Sequence, residues 1–441
     1  MAEHIAVIGA GPAGASAAHA LCSAKYQVTV FERDDAIGGR TRTLRTHGYH
    51  LDTGAGFITN FYPRVMTAAQ TLGFDDKVRL LERVTGLHDG KRLARLNVGS
   101  PLSFMSFPLI TWADKLKMSA WTSALTLKRS KLDLARPETL CTLDHQSIAE
   151  YARHHLNERI YQHLIRPGIE PFWYFSCEEV SAALAVALTA HAAGAQFYFV
   201  EGGIDQICSH LLAGSEVQLS ASVSKVWLDG SQVRLETQDH QSSFDGVVVA
   251  TPATAAVSMT QGAWQQLALT ANQQTFLREQ RYAANVHVAF RIPRLAKDPG
   301  VNSVFPTGAG PRDLAALSFH RRKGGQRDDE ELVSVYLSDA ESRRVLNDSD
   351  EQLAEHTYRL AKRLYPALGD DFTVHALFRR SEAIPLHAVG RYRQAQAFHA
   401  DQDQAQSQVT FCGDYLASAT IEGAVESGAR AAKALIGALS R

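Results

Sequence analysis

Cysteine is scarce in this 441-residue chain. Cys22, Cys141, Cys177, Cys208 and Cys412 are dispersed, odd in number, and form no C-x-x-C pair. Such a set fits free thiols in a reducing compartment rather than a disulfide framework. Long hydrophobic runs are missing as well. No stretch reaches the roughly 18 apolar residues needed to span a bilayer; the nearest, Leu102–Trp112 and Ser181–Ala195, are interrupted by Pro108 and His191. Charge of one sign is also lacking: the formal net charge is −1, which argues against a nucleic-acid partner, because polyanion binding leaves a basic footprint. With a core strand expected to begin at Ile5, no signal peptide is expected ahead of it. A cytoplasmic location is therefore expected. Internal repeats and low-complexity tracts are absent.

What is present is an ordinary globular composition over a length that implies two or three structural units. Ile5–Ile8 reads as a buried parallel strand, Gly9–Gly14 as a turn into a small-residue helix that runs to about Leu21, and Gln27–Phe31 as a second strand. Together they form a β-α-β unit. From about Ile58 to Ala195 the pattern becomes mostly helical, with helices expected at Arg64–Leu72, within Leu109–Ser130, at Ser147–Leu164 and at Val180–Ala193. Strand-like sequence returns at Phe197. Val217–Leu219, Val223–Leu228 and Val233–Thr237 follow, with Asp229-Gly230 as a hairpin turn, and Val247–Ala250 is another buried strand. A second insertion carries strands at Asn285–Arg291 and Leu332–Leu337 and a helix at Asp350–Leu364. A strand at Gln408–Cys412 and a helix from Ile421 to about Leu439 close the chain. The pattern is one nucleotide-binding unit in three pieces, interrupted twice: residues 1–85, 196–256 and 386–441 form the unit, 86–195 a helical cap, and 257–385 a substrate domain.

Several segments carry chemistry. In Gly9-Ala10-Gly11-Pro12-Ala13-Gly14 the glycines permit a tight turn, close backbone approach to a pyrophosphate, and close helix-strand packing. The helix that follows aims unpaired N–H groups and a partial positive charge at the phosphates. Glu32, at the end of the second strand, lies where a carboxylate accepts hydrogen bonds from an adenosine ribose. Gly38-Gly39-Arg40 lets the backbone pass close to a cofactor, with Arg40 able to neutralise a phosphate.

This succession, fingerprint then Glu32 then Gly-Gly-Arg-Thr, resembles the flavin amine oxidase superfamily, which includes amine oxidases, protoporphyrinogen oxidase and phytoene-desaturase-like enzymes. Asp52-Thr53-Gly54-Ala55-Gly56-Phe57 is similar to the family's glycine-rich loop beside the flavin. Glu201-Gly202-Gly203 with Val217–Val223 is similar to its second cofactor segment, where the backbone at Val223 meets the adenine. Gly413-Asp414 with Ile421–Gly428 is similar to its C-terminal flavin motif. The resemblance implies an α/β fold, a Rossmann-like FAD-binding domain in three sequence segments with an inserted α+β substrate domain. It implies FAD as cofactor, and contacts also from Arg33, Ala250 and Thr251. At the C-terminal motif Asp414 would take ribityl hydroxyls, while Glu422, Gly423, Ala424 and Val425 open a helix whose dipole would favour the extra negative charge of reduced flavin.

Two features depart from the amine oxidases. The strand Tyr282–Phe290 lacks the lysine those enzymes place near the flavin, and Ser418-Ala419-Thr420 stands where aromatic residues often form an amine cage. Ser381–Gly390 instead resembles the protoporphyrinogen oxidase branch, as does the patch Asn97–Met105. Cys412 is read as buried packing, so FAD is expected to be non-covalent. Phe172, Trp173, Tyr174 and Asn285 are candidates for the substrate lining, His387 and Tyr415 for catalysis, and no metal site is expected. Arg321-Arg322-Lys323 reads as a solvated loop, since Gly324-Gly325 follows. Leu109–Ser130, apolar with flanking lysines, is read either as a cover for the substrate domain or as a peripheral membrane contact. The implied reaction is hydride removal from a small organic substrate, porphyrinogen-like first, then isoprenoid or amine, with oxygen or a quinone as acceptor. A non-redox flavin isomerase is the other class.

Overall fold

The computed structural model describes residues 3–81, 84–238, 240–323 and 329–440. The buried apolar runs that lie far apart in sequence become neighbours in one parallel sheet. Its order is Glu216–Gln218, Gln27–Phe31, His4–Ile8, Gly246–Val249 and Val409–Phe411. The three central strands carry almost nothing but buried side chains, as expected of parallel strands covered on both faces. One cover is made by helix Pro12–Ser23 and helix Ile421–Leu439, so the first and last segments of the chain pack together. Glycine makes that contact close: a Cβ on Gly428 would lie 2.0 Å from the Ala13 carbonyl oxygen, and one on Gly14 would lie 1.9 Å from the Gly9 oxygen. The meander Val223–Asp229, Gln232–Thr237 and Gln241–Phe244 flanks this unit. Its first turn is a hairpin one residue later than expected: Asp229 pairs with Gln232, and Gly230, at φ +62°, and Ser231 form the loop.

The second unit is built on a seven-stranded sheet. Its order is Thr373–Pro385, Tyr282–Pro293, Glu330–Leu337, Leu314–Phe319, Ser303–Pro306, Val84–His88 and Leu93–Asn97. The last two strands correct the sequence reading. The expected boundary between residues 85 and 86 falls inside Val84–His88, and the hairpin it forms is the edge of the substrate sheet rather than part of a helical cap. Gly86 hid this strand by breaking the apolar alternation; a Cβ there would meet the Leu93 side chain at 2.7 Å. Thr373–Pro385 was also illegible, because its mixed, half-exposed residues show no period. Helix Arg391–Ala405 lies where no element was expected.

Helices wall the space between the two units. Trp112–Thr126 starts with a capping box, in which Thr111 and Asp114 satisfy each other's backbone N–H groups. Arg166–Trp173 follows a π-turn at Tyr161–Ile165 and ends at Tyr174, which is held at φ +62°. This backbone is costly for a residue with a Cβ.

Two predictions follow from this packing. Gly428→Ala should lower stability by about 1–3 kcal/mol, through overpacking against the Ala13 backbone. Gly437→Ala, on an exposed turn of the same helix with no atom within 4 Å, should be neutral or slightly stabilising; urea midpoints of the two variants separate the cases. Asp114 is buried, which alone would raise its pKa, but hydrogen bonds from Thr111, Asn157 and Arg159 prevail and bring it from 3.8 to about 2. Its stabilising contribution is therefore complete above pH 3.8 and lost as pH falls through about 2. The stability gap between the wild type and Asp114→Asn should narrow over that window in denaturant titrations.

Candidate functional site

A single connected cavity of about 1340 Å³ runs between the two units. That is above the roughly 300–1,000 Å³ of an ordinary ligand pocket, with room for an extended cofactor and a substrate together. One end lies at the N-terminus of helix Pro12–Ser23, where Gly9, Gly11, Pro12 and Ala13 form the wall. Gly9 needs to be glycine for its φ of +106°. Gly11 does not: its φ is −78°, and a Cβ there would find only the Gly38 oxygen, at 3.9 Å. What glycine preserves at this position is open space directly over the helix N-terminus, the cradle a phosphate-bearing group requires. Gly14 and Gly38 do not face the cavity. Gly14 serves the packing described above, and Gly38, at φ +105°, turns the chain and donates its N–H to the Ala10 oxygen.

Glu32 is buried at the cavity wall. One of its oxygens accepts the Ala10 N–H at 2.8 Å and the other the Asp34 N–H at 3.0 Å. These contacts tie the strand end to the glycine turn and fix the carboxylate. Arg33 sits at the exposed rim, and Val223, Ala250 and Thr251 complete this end.

Further along, Gly39, Arg40 and residues 54–57 face Gly413, Asp414 and Ala424 across the same space. Arg40 donates to the Asp414 carboxylate at 2.7 Å. Burial alone would lower the Arg40 pKa, but Asp414 outweighs it and raises it. Arg40 is therefore already paired, and with the carboxylate that the sequence assigned to ribityl hydroxyls. Three other residues of the C-terminal motif face away from the cavity. Glu422 caps helix Pro63–Thr71, accepting the N–H groups of Arg64 and Val65 and the Arg64 guanidinium; burial raises its pKa against the pull of Arg64. Gly423 gives its N–H to the Thr420 hydroxyl and packs on Ser418. The Val425 carbonyl accepts from Ser16. Their work is to seat the two helices.

Both catalytic candidates lie off the cavity. His387 is buried with its ring stacked on Tyr392 at 5.1 Å, and burial pushes its pKa down to about 4. The Tyr415 ring sits behind Gly413 and packs toward Phe276, with its pKa raised by burial.

The structure brings in residues that the sequence did not single out. Lys323 is not solvated: its ammonium reaches the Gly56 carbonyl and lies 3.5 Å from Asp52, at the cavity wall. The glycines expected to make this run a loop lie outside the described residues, and the neighbouring Arg321 pairs with Glu331 and Asp298. Arg380 donates to the Thr53 carbonyl and hydroxyl at 2.7 and 2.9 Å. Two cations thus hold the 52–57 loop from the substrate sheet. Beside them the Ser334 hydroxyl bridges His287 and His320, at 2.9 and 2.8 Å. Burial first, and then Arg380 and Lys323, lowers His287 to about 3; burial and Lys323 keep His320 far below its usual range. Both rings are neutral at pH 7. Sequence offers no local signal for this cluster, because its members meet only through strand pairing.

The four substrate candidates, Phe172, Trp173, Tyr174 and Asn285, all line the cavity. Tyr174 does so from the backbone held at φ +62°. The lining contributed by residues 97–195 contains no charged side chain among the described residues, whereas the charged lining comes from the nucleotide-binding segments and the facing sheet. No group of metal-ligating side chains occurs among the described residues.

The chain matches the model of the flavin containing amine oxidoreductases over residues 12–436. It is 27% identical over 173 residues to protoporphyrinogen oxidase 2 of Arabidopsis thaliana, a match covering 38% of this chain and 32% of that protein. It is 22% identical over 371 residues to coproporphyrinogen III oxidase of Mycobacterium bovis, covering 79% of each. Among solved structures, cyclohexylamine oxidase from Brevibacterium oxydans superposes with a TM-score of 0.74 at 19% identity over the full length of both chains, a likeness of fold. The family match spans both units, from the start of helix Pro12–Ser23 through the 52–57 loop to most of the C-terminal helix, and so the chain belongs to the flavin-containing amine oxidoreductase family.

Proposed function

We propose that this protein is an oxidoreductase that binds FAD non-covalently and removes hydride from a carbon of an apolar or conjugated organic substrate. Electrons then pass to oxygen or a quinone. The observation that carries this reading is the division of one continuous cavity into a charged half built on the glycine cradle and a neutral half walled by residues 97–195. Bound flavin supplies the two-electron acceptor. The chain's own residues supply position and field. The cradle at Gly9–Ala13 would hold the pyrophosphate at a helix N-terminus, Glu32 would hold the ribose, and Lys323 and Arg380 fix the 52–57 loop, which would stand beside the flavin. Non-covalent attachment is supported by the absence of any cysteine from the cavity lining among the described residues.

A porphyrinogen-like substrate ranks first, an isoprenoid second and an amine third. Aromatic rings at Phe172, Trp173 and Tyr174 suit a conjugated or apolar molecule. The lack of an acidic side chain on the 97–195 wall counts against an ammonium group, which would be left unpaired.

The purified protein should show a flavin spectrum, and the colour should leave the protein on denaturation. Anaerobic addition of protoporphyrinogen, an isoprenoid polyene and a panel of amines should bleach it with one class. Turnover without bleaching would favour an isomerase, and no flavin even after reconstitution would sink the reading. Gly11→Val should separate binding from folding. Its backbone tolerates a side chain, so the variant should keep the melting temperature of flavin-free wild type while losing at least about tenfold in FAD affinity, since about 1.4 kcal/mol is tenfold.

A further inference from the structure

We infer that helix Trp112–Thr126, with the turn before it, docks this protein on an anionic lipid bilayer, and that the neutral half of the cavity opens to substrate there. Eight large apolar side chains are exposed among the described residues, and four of them fall in one short stretch. These are Leu102, Trp112, Leu116 and Leu127, exposed by 84%, 64%, 66% and 88%. Along the helix Trp112, Leu116, Ala120 and Ala124 recur every four residues, and all are exposed. This is an apolar stripe turned outward, the reverse of what a helix covering a core presents. Such a stripe on a soluble surface marks an interaction site.

The charge around the stripe identifies the partner. The chain as a whole carries −1, yet residues 101–131 hold five basic residues and one acid. The acid, Asp114, is buried in the capping box. Lys128, Arg129 and Lys131 are exposed at the end of the helix and form no ion pair among the described residues. Lys115 lies over the Trp112 ring at 4.7 Å and donates to the Met105 carbonyl, which fixes the indole at the outer edge. Exposed apolar side chains, a tryptophan and unpaired basic residues within one short segment are what an interfacial helix offers to anionic headgroups. No helix among the described residues is long and apolar enough to cross a membrane, so the contact is peripheral.

The other side of the same helix faces the cavity. Met118, Ser119, Thr122 and Ser123 line it, as do Ser100 and Pro101 beside the exposed Leu102. Ser123 and Pro101 are both exposed and both cavity-lining, which puts an opening where the short helix Pro101–Ser106 and helix Trp112–Thr126 border the cavity. A molecule dissolved in the bilayer would reach the neutral half of the cavity without crossing water. This second part rests on the proposed apolar substrate; the docking itself does not.

The test is co-sedimentation of the purified protein with phosphatidylcholine vesicles, with and without phosphatidylserine, at low and high salt. The wild type should pellet with the phosphatidylserine vesicles and be released by salt. The double variant Leu116→Glu, Leu127→Glu should lose at least about tenfold in partitioning, because two leucines that would enter the bilayer are exchanged for charges facing anionic lipid. Both side chains are exposed, so its melting curve and flavin content should match the wild type. Wild type that stays in the supernatant with both vesicle types overturns the inference. Equal pelleting of the double variant overturns the assigned face. Self-association without vesicles that the double variant abolishes overturns it in favour of a second copy of this chain. Vesicle binding by protein that takes up no flavin would sink the proposed function and leave the docking surface standing.

Discussion

The structure depends on the contact between helix Pro12–Ser23 and helix Ile421–Leu439. The two helices come from opposite ends of the chain, and they approach so closely that Gly428 has no room for a Cβ against the Ala13 backbone. Gly14 allows the first helix to sit as closely on the turn that precedes it. Close packing of this kind is rigid. It sets the N-terminus of the first helix, with the Gly9–Ala13 cradle, at a fixed place relative to Thr420, Ile421 and Ala424 at the start of the last. Every other wall of the cofactor end is registered to this pair.

From that base the cavity is closed by charge pairing across segments distant in sequence. Arg40 meets Asp414, Arg380 meets the Thr53 backbone, and Lys323 meets Asp52 and Gly56. Arg64 gathers Glu422, Glu426 and Asp133. In each case a cation satisfies oxygens of a loop or helix end that lies far away in sequence. A buried carboxylate such as Glu422 persists because it is hydrogen-bonded as well as paired. The same pairings explain why charge stays at the cofactor end. The helical wall at residues 97–195 enters these pairings through Asp133, which does not line the cavity, and presents neutral and aromatic side chains to the cavity itself.

Most of the nucleotide-binding unit was legible in the sequence because its signals are local. Gly9–Gly14, Glu32, the buried runs Ile5–Ile8 and Val247–Ala250, and the hairpin around Gly230 each follow from chain geometry within a few residues. The substrate unit was less legible. Thr373–Pro385 and Val84–His88 are strands because of what pairs with them, and neither shows a clean period. The site residues divide the same way. Glycines that must open space or turn the chain were identifiable one by one. Glu422, Gly423 and Val425 belong to a recognisable motif, yet their side chains and backbone are spent on seating helices.

The sequence by itself determined the fold class, the family resemblance and the glycine turn at the helix N-terminus, since glycine conformation, strand burial and helix dipoles act over a few bonds. Only the tertiary structure decided which groups face the cofactor space. It took His387 and Tyr415 away from the cavity and delivered Lys323, Arg380 and His320 to it. The reason is that strand register and unit-to-unit packing set where a side chain points, and these are long-range properties that no single stretch of sequence encodes.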